Sequence, residues 1–135
     1  MADAPDDMAS AAGPVVLVVE DEWLIADMVA QAVRDAGYRV LGPVASVAQA
    51  QALLAKYRCD AALLDLNLAG DRGYALIDQL RAMRVPCLLV TGYSRDDLPE
   101  RYRDHALVGK PAESETLISA LAGLLTCRRL RHSAA

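Results

Sequence analysis

The sequence has no excess of basic residues, no paired set of cysteines and no long apolar run. Its 14 Lys and Arg stand against 18 Asp and Glu in 135 residues. That mildly acidic balance argues against broad nonspecific binding to nucleic acid and leaves room only for a local basic patch. The three cysteines, Cys59, Cys87 and Cys127, are odd in number and lack metal-ligand spacing. Cys59 and Cys87 border apolar, strand-like runs, which reads as buried free thiols in a reducing compartment. No apolar stretch approaches the roughly 20 residues needed to span a bilayer. The opening "MADAPDDMASAAG" is acidic and lacks the basic start and apolar centre of a secretion signal. A soluble, cytoplasmic protein is expected, with one domain large enough to bury a core.

What the chain does have is a strand–helix alternation that begins at Val15 and repeats five times. "VVLVV" (15–19) is a short, continuous, β-branched-rich run, the pattern of a strand covered on both faces. Helical spacing follows, with Ile25, Val29, Ala32, Val33 and Ala36 on one stripe and Gly37 as its stop. "YRVLGPV" (38–44) predicts a strand that Gly42 and Pro43 weaken, which suits the edge of a sheet. Ser46 is a candidate N-cap for a helix carrying Val47, Ala50, Leu53 and Leu54. The strand "DAALLD" (60–65) leads through a loop with Gly70 and Gly73 to a helix with Leu76, Ile77 and Leu80. "PCLLVT" (86–91) and "ALVG" (106–109) are the fourth and fifth strands, and a last helix buries Leu117, Ile118, Leu121, Leu124 and Leu125. Right-handed crossovers then give an α/β fold, a doubly wound, five-stranded parallel sheet with five helices on its two faces. Residues 1–13 show no periodicity and read as a disordered tail.

The fourth helix is expected to be short or irregular. "GYSRDDLPERYRDH" (92–105) carries seven charged residues and a proline. Pro99 is tolerated only in a helix's first turn, so any helix there starts near Asp97 or Leu98. With few apolar anchors, the segment is expected to be the least stable part of the domain and to gain order on activation.

Ligands of an open parallel sheet bind beyond the carboxyl ends of its strands. Read in turn, those ends carry Glu20 and Asp21, then Asp65, then Thr91, then Lys110. Each has an ordinary explanation. Acidic residues favour the start of the following helix through its dipole. Asp65 could bond neighbouring backbone amides, Thr91–Gly92 could be a plain strand exit, and Lys110–Pro111 an exposed loop. Their combination is harder to explain that way. Two unit charges 4 Å apart repel by about 4 kcal/mol at an effective dielectric near 20. Converging carboxylates make sense around a hard divalent cation, and Mg²⁺ takes one or two carboxylates plus phosphate oxygens. Asp65 could then attack phosphorus while Lys110 and the Thr91 hydroxyl stabilise the group being transferred.

Four stretches, "VVEDE", "LLDLN", "LVTG" and "GKP" in that order, resemble the receiver domain of bacterial two-component response regulators. The resemblance covers about residues 14–126, leaving 127–135 as a short basic tail. It implies a flavodoxin-like strand order, 2-1-3-4-5, which the periodicity itself does not supply. It further implies that Asp65 is the phosphoacceptor, that Asp21 binds Mg²⁺ directly and Glu20 through water, and that the Asn67 backbone carbonyl completes the metal site. Thr91 and Lys110 become the phosphoryl-binding residues, and the Lys110–Pro111 bond is expected to be cis. The partners implied are a sensor histidine kinase or histidine phosphotransfer protein, and a downstream protein meeting the face built by helix four, strand five and helix five.

Two departures from the usual receiver pattern stand out in a chain with no phenylalanine. The switch position three residues before the lysine, normally Tyr or Phe, is Leu107, and the position after Lys-Pro, often Phe, is Ala112. With "LLVTGYS" and the proline-broken fourth helix, these features resemble the FAT GUY subgroup of mostly single-domain regulators, although Leu89 and Val90 replace its Phe and Ala. That likeness suggests kinases of the HWE or HisKA2 type.

The expectation is a stand-alone receiver that is not a turnover enzyme. It would signal by protein–protein contact or drain phosphoryl groups from a pathway. After Leu125 ten residues remain, and their basic cluster "CRRLRH" suits a solvated helix end, so no DNA-binding output is expected. A haloacid-dehalogenase-type phosphatase uses similar groups but places its nucleophile after the first strand and its acidic pair late, the reverse of the order here. A phosphorylation-independent pseudo-receiver stays open as the alternative, although nothing essential for phosphorylation is missing from the sequence.

Overall fold

The computed structural model describes residues 13–66 and 73–134, with side chains up to Thr126. The apolar runs become five strands, β1 (Val15–Val19), β2 (Arg39–Val44), β3 (Ala61–Asp65), β4 (Cys87–Thr91) and β5 (Ala106–Gly109). All pair in parallel in the order β2-β1-β3-β4-β5. Four α-helices accompany them, α1 (Trp23–Asp35), α2 (Val47–Leu54), α3 (Tyr74–Ala82) and α4 (Ser114–Ala134). The last runs on through the basic segment 127–132. No described helix is long and apolar enough to cross a membrane.

The alternation of side chains across the pleat divides the interior into two cores. Leu17, Val19, Leu64 and Leu89 face α2 and α3, whereas Val16, Val18, Leu63 and Leu88 face α1 and α4. A parallel strand buried on both faces reads as a continuous apolar run for this reason. On α1 the contact line is one step away from the expected stripe. Ala26, Ala30 and Val33 are buried, Ile25, Val29 and Ala32 are half-buried, and Ala36 is exposed. Small alanines along the line of closest approach let α1 settle near the sheet, a preference that hydrophobic size alone hides.

The weakened strand is the edge strand, as its Gly42 and Pro43 suggest. Gly42 has φ +98°, and a Cβ there would lie 2.9 Å from the Val44 nitrogen and 3.1 Å from the Val18 carbonyl oxygen. The Gly42–Pro43 bond is cis, and the pairing of β1 with β2 shifts register between Leu17 and Val19. Ser46 caps α2, its hydroxyl accepting from the Gln49 amide at 3.1 Å.

One expected helix takes a different form. Between β4 and β5 the chain makes two 3₁₀ turns, Arg95–Asp97 and Glu100–Tyr102, in place of an α-helix. The first turn precedes the expected start because Ser94 and Asp97 close a capping box around it. Leu98 then turns extended, with ψ 150°, as a residue before proline must, and Pro99 opens the second turn. The expectation of few apolar anchors is also corrected. Leu98 and Tyr102 are buried, at 2% and 4% exposure, in the same core as α2 and α3.

Candidate functional site

Parallel register delivers the chemistry-bearing residues to one end of the sheet. Val19 pairs with Leu64, so the next residues, Glu20 and Asp65, emerge at the same level. Asp65 pairs with Val90, and Thr91 with Gly109, which brings Thr91 and Lys110 alongside. The backbone ties these exits together, with Lys110 N–H donating to the Thr91 carbonyl at 2.8 Å and Glu20 N–H to that of Val44 at 2.9 Å.

Among the described residues, the buried polar or charged ones are Glu20, Asp65 and Thr91, at 7%, 3% and 1% exposure. The three sit together at the carboxyl ends of the central strands, where burial of an ion needs compensation. Carboxylate oxygens of Glu20, Asp21 and Asp65 lie within 4.8 Å of one another, with Asp21 exposed at the rim. Lys110 Nζ stands 2.9 Å from Asp65 Oδ2 and 3.8 Å from Glu20 Oε1. Glu20 Oε2 accepts from the Glu22 amide at 3.1 Å, and the Thr91 hydroxyl oxygen accepts from the Tyr93 amide at 3.0 Å.

The electrostatics follow from this crowding. Burial, then the adjoining Asp65 carboxyl, push Glu20 up to about 7, against the Glu22 amide and Lys110, which favour its charge. For Lys110 burial is the largest single influence and lowers its pKa. The hydrogen bond and charge of Asp65, with the charges of Glu20 and Asp21, together outweigh it and leave the ammonium above its ordinary value. The donor set is all oxygen, clustered and over-supplied with negative charge. It suits a hard divalent cation that binds through carboxylates and keeps several waters. Asn67, expected to contribute a carbonyl, lies outside the described residues. The Lys110–Pro111 bond is cis.

The site opens into a cleft of about 470 Å³ between α1 and the start of α4. Ile25, Met28 and Val29 form one wall and Pro111, Ala112 and Leu117 the other, with Glu20, Asp65 and Lys110 at the inner end. The small Ala112 side chain leaves that wall open. Met28 of that wall is exposed, as are the apolar Trp23 and Leu24 at the start of α1. Nothing in the sequence reading singled out these three as exposed. Leu107, at the switch position, is half-buried opposite Leu89 and packs into the core shared by α2 and α3.

With an acidic pair after β1, an aspartate ending β3, a hydroxyl ending β4 and a lysine after β5 on one edge, the family comparison is decisive. The response regulator receiver domain matches residues 16–122. The chain belongs to that family. Among curated proteins, the transcriptional regulatory protein PdtaR of Mycobacterium tuberculosis is 31% identical over 110 residues, 78% of this chain. Those residues cover 54% of PdtaR, so the chain spans about half the length of that relative. Among solved structures, SdrG of Sphingomonas melonis Fr1 is 35% identical with a TM-score of 0.72, covering 85% of this chain and 98% of SdrG. The receiver domain of PhyR from Erythrobacter litoralis is 29% identical with a TM-score of 0.76, covering 85% and 92%. The chain is thus a receiver domain of the kind found in two-component signalling.

Proposed function

We propose that this receiver accepts a phosphoryl group on Asp65 from a histidine kinase or histidine phosphotransfer protein and passes the signal on by protein–protein contact. The observation that carries the reading is the placement of the buried polar residues. They meet at a single point, around a carboxylate held by Lys110 at 2.9 Å, at the inner end of an open cleft.

The chemistry is an in-line displacement. An Asp65 oxygen forms the new O–P bond as the N–P bond of the donor's phosphohistidine breaks, and the imidazole leaves with the bonding electron pair. Lys110 offsets the charge of the phosphoryl group, and the Thr91 hydroxyl, buried at the end of β4, donates to one of its oxygens. Asp21, Glu20 and Asp65 would hold Mg²⁺, with the Asn67 carbonyl as a further ligand. When bound, that ion supplies charge neutralisation between the carboxylates and the incoming phosphoryl oxygens. The exposed Trp23, Leu24 and Met28 of α1 give the donor an apolar surface to rest on. The missing ring at Leu107, the small Ala112 and the "LLVTGYS" stretch support a reading as a FAT GUY receiver, which points to kinases of the HWE or HisKA2 type. The downstream partner meets the face formed by the 92–105 segment, β5 and α4. A pathway sink for phosphoryl groups uses the same chemistry without that partner.

Incubation with acetyl phosphate and Mg²⁺ tests the acceptor. Intact mass should rise by one phosphoryl group, and Asp65→Asn should abolish the gain. A full-strength adduct on the substituted protein would reassign the acceptor. No adduct on either protein would favour a pseudo-receiver that binds partners without phosphorylation.

A further inference from the structure

The segment between β4 and β5 is fastened to α3 by a contact set that the phosphoacceptor chemistry does not use. Tyr102 is buried, and its hydroxyl donates to the Asp78 carboxylate at 3.1 Å and 3.2 Å to the two oxygens. The Arg101 guanidinium reaches the same carboxylate at 2.7 Å. The Tyr102 ring stacks on Tyr74, with centroids 4.8 Å apart and planes inclined by 10°. From α3, Arg81 returns a hydrogen bond to the Arg101 carbonyl at 3.2 Å. Burial, then the Asp78 carboxylate, hold the Tyr102 phenol above its ordinary pKa, so it stays a donor well past neutral pH.

This strap has a handle on the site. At its start, the Tyr93 amide donates to the Thr91 hydroxyl oxygen at 3.0 Å. At its anchor, Tyr74 is the first residue of α3, directly after Gly73, which has a left-handed φ of +74°. The sheet position that would carry a switching ring is Leu107, packed in the same core as Tyr102 and Tyr74.

We propose that Tyr102 is a latch that holds the strap on α3 in the unmodified protein, and that phosphorylation of Asp65 releases it. The release rests on the phosphoacceptor reading above. When the Thr91 hydroxyl turns towards a phosphoryl oxygen, the Tyr93 amide loses this acceptor and the start of the strap loosens. The strap then lifts from α3, and the stacked pair separates. The latch thereby replaces the rotating ring that Leu107 cannot provide, and it reverses the gain of order on activation expected from the sequence.

Backbone amide exchange over residues 98–104 tests this in wild type, Tyr102→Phe and Asp78→Asn, each free and with beryllofluoride plus Mg²⁺. Tyr102→Phe keeps the buried ring, and Asp78→Asn alters a partly exposed helix position, so the fold is retained in both. In the free wild type these amides should be protected. Each substitution should speed their exchange about tenfold, as loss of a hydrogen bond to a charged group does. Beryllofluoride should bring wild type to the same fast level. Equal protection in wild type and both variants overturns the latch. Protection unchanged by beryllofluoride, in protein whose Asp65 does take a phosphoryl group, overturns the release. A protein that takes no phosphoryl group overturns the acceptor reading and the release with it, while the two variants still decide the latch.

Discussion

Lys110 stands between two carboxylates that would otherwise repel each other, and a third of its side chain meets solvent. Its loss should therefore cost less than breaking a fully buried pair and more than breaking a surface one. Lys110→Met, which keeps the aliphatic stem, should lower stability to urea by about 1–2 kcal/mol in EDTA, and millimolar Mg²⁺ should recover part of that loss. An unchanged midpoint in EDTA would mean that Lys110 does not compensate the cluster. At this scale the sequence was informative wherever a residue ends a strand. A parallel sheet places all such ends on one edge, so Glu20, Asp21, Asp65, Thr91 and Lys110 could be grouped before any coordinates. Contacts without a periodic signature were not legible. Nothing in the spacing of Asp78 and Tyr102, 24 residues apart, marks them as partners, and the Tyr93 amide bond to Thr91 depends on the turn that follows β4.

The strap between β4 and β5 is the element on which charge and burial compete most directly. His105 closes it, half-buried, with Nδ1 3.3 Å from the Arg81 guanidinium and 3.5 Å from the Asp104 carboxylate. Its ring also lies against Tyr102, centroids 6.3 Å apart, and its carbonyl accepts from Arg95 at 2.6 Å. Burial, then the Arg81 charge, lower its pKa below 6.5, against the opposing pull of Asp104 and the Tyr102 backbone. The unfolded strap thus binds a proton more readily than the folded one, so its stability falls as pH drops below 6.5. Glu20 acts in the opposite sense. Its pKa is raised from 4.5 to about 7, so in metal-free protein its contribution is greatest below 4.5 and is lost as pH rises to 7. A global melt would mix the two, and a local probe is needed. Amide exchange over 95–104, corrected for the intrinsic rate, should accelerate as pH falls from 7 to 5, and His105→Gln should flatten that dependence. A slope that survives the substitution would assign it to another group. The sequence marked this element as irregular through Pro99 and its charges. The capping box that starts a turn early, and the burial of Leu98 and Tyr102, arise from packing that local propensity does not encode.

Over the whole molecule, two cores on opposite faces of one sheet follow from side-chain alternation in strands that are apolar throughout. This is why the strand–helix order alone gave the fold class, whereas the strand order 2-1-3-4-5 needed the family resemblance. Periodicity says which faces are covered and not which strand lies beside which. The α1 contact line of Ala26, Ala30 and Val33 shows the same limit, since the direction of closest approach is a property of the assembled layers. The candidate site was legible because the fold gathers the strand ends, where the buried Glu20, Asp65 and Thr91 lie. The central claim is that Asp65 takes its phosphoryl group from a phosphohistidine. The most direct measurement is a time course of labelled phosphoryl transfer from the host's autophosphorylated histidine kinases and phosphotransfer proteins, with Mg²⁺ or EDTA, to wild type and Asp65→Asn. Rapid transfer from at least one donor to wild type is expected in Mg²⁺, with little in EDTA and none to Asp65→Asn. Equal labelling of wild type and Asp65→Asn, or no transfer from any donor in the set, would contradict it.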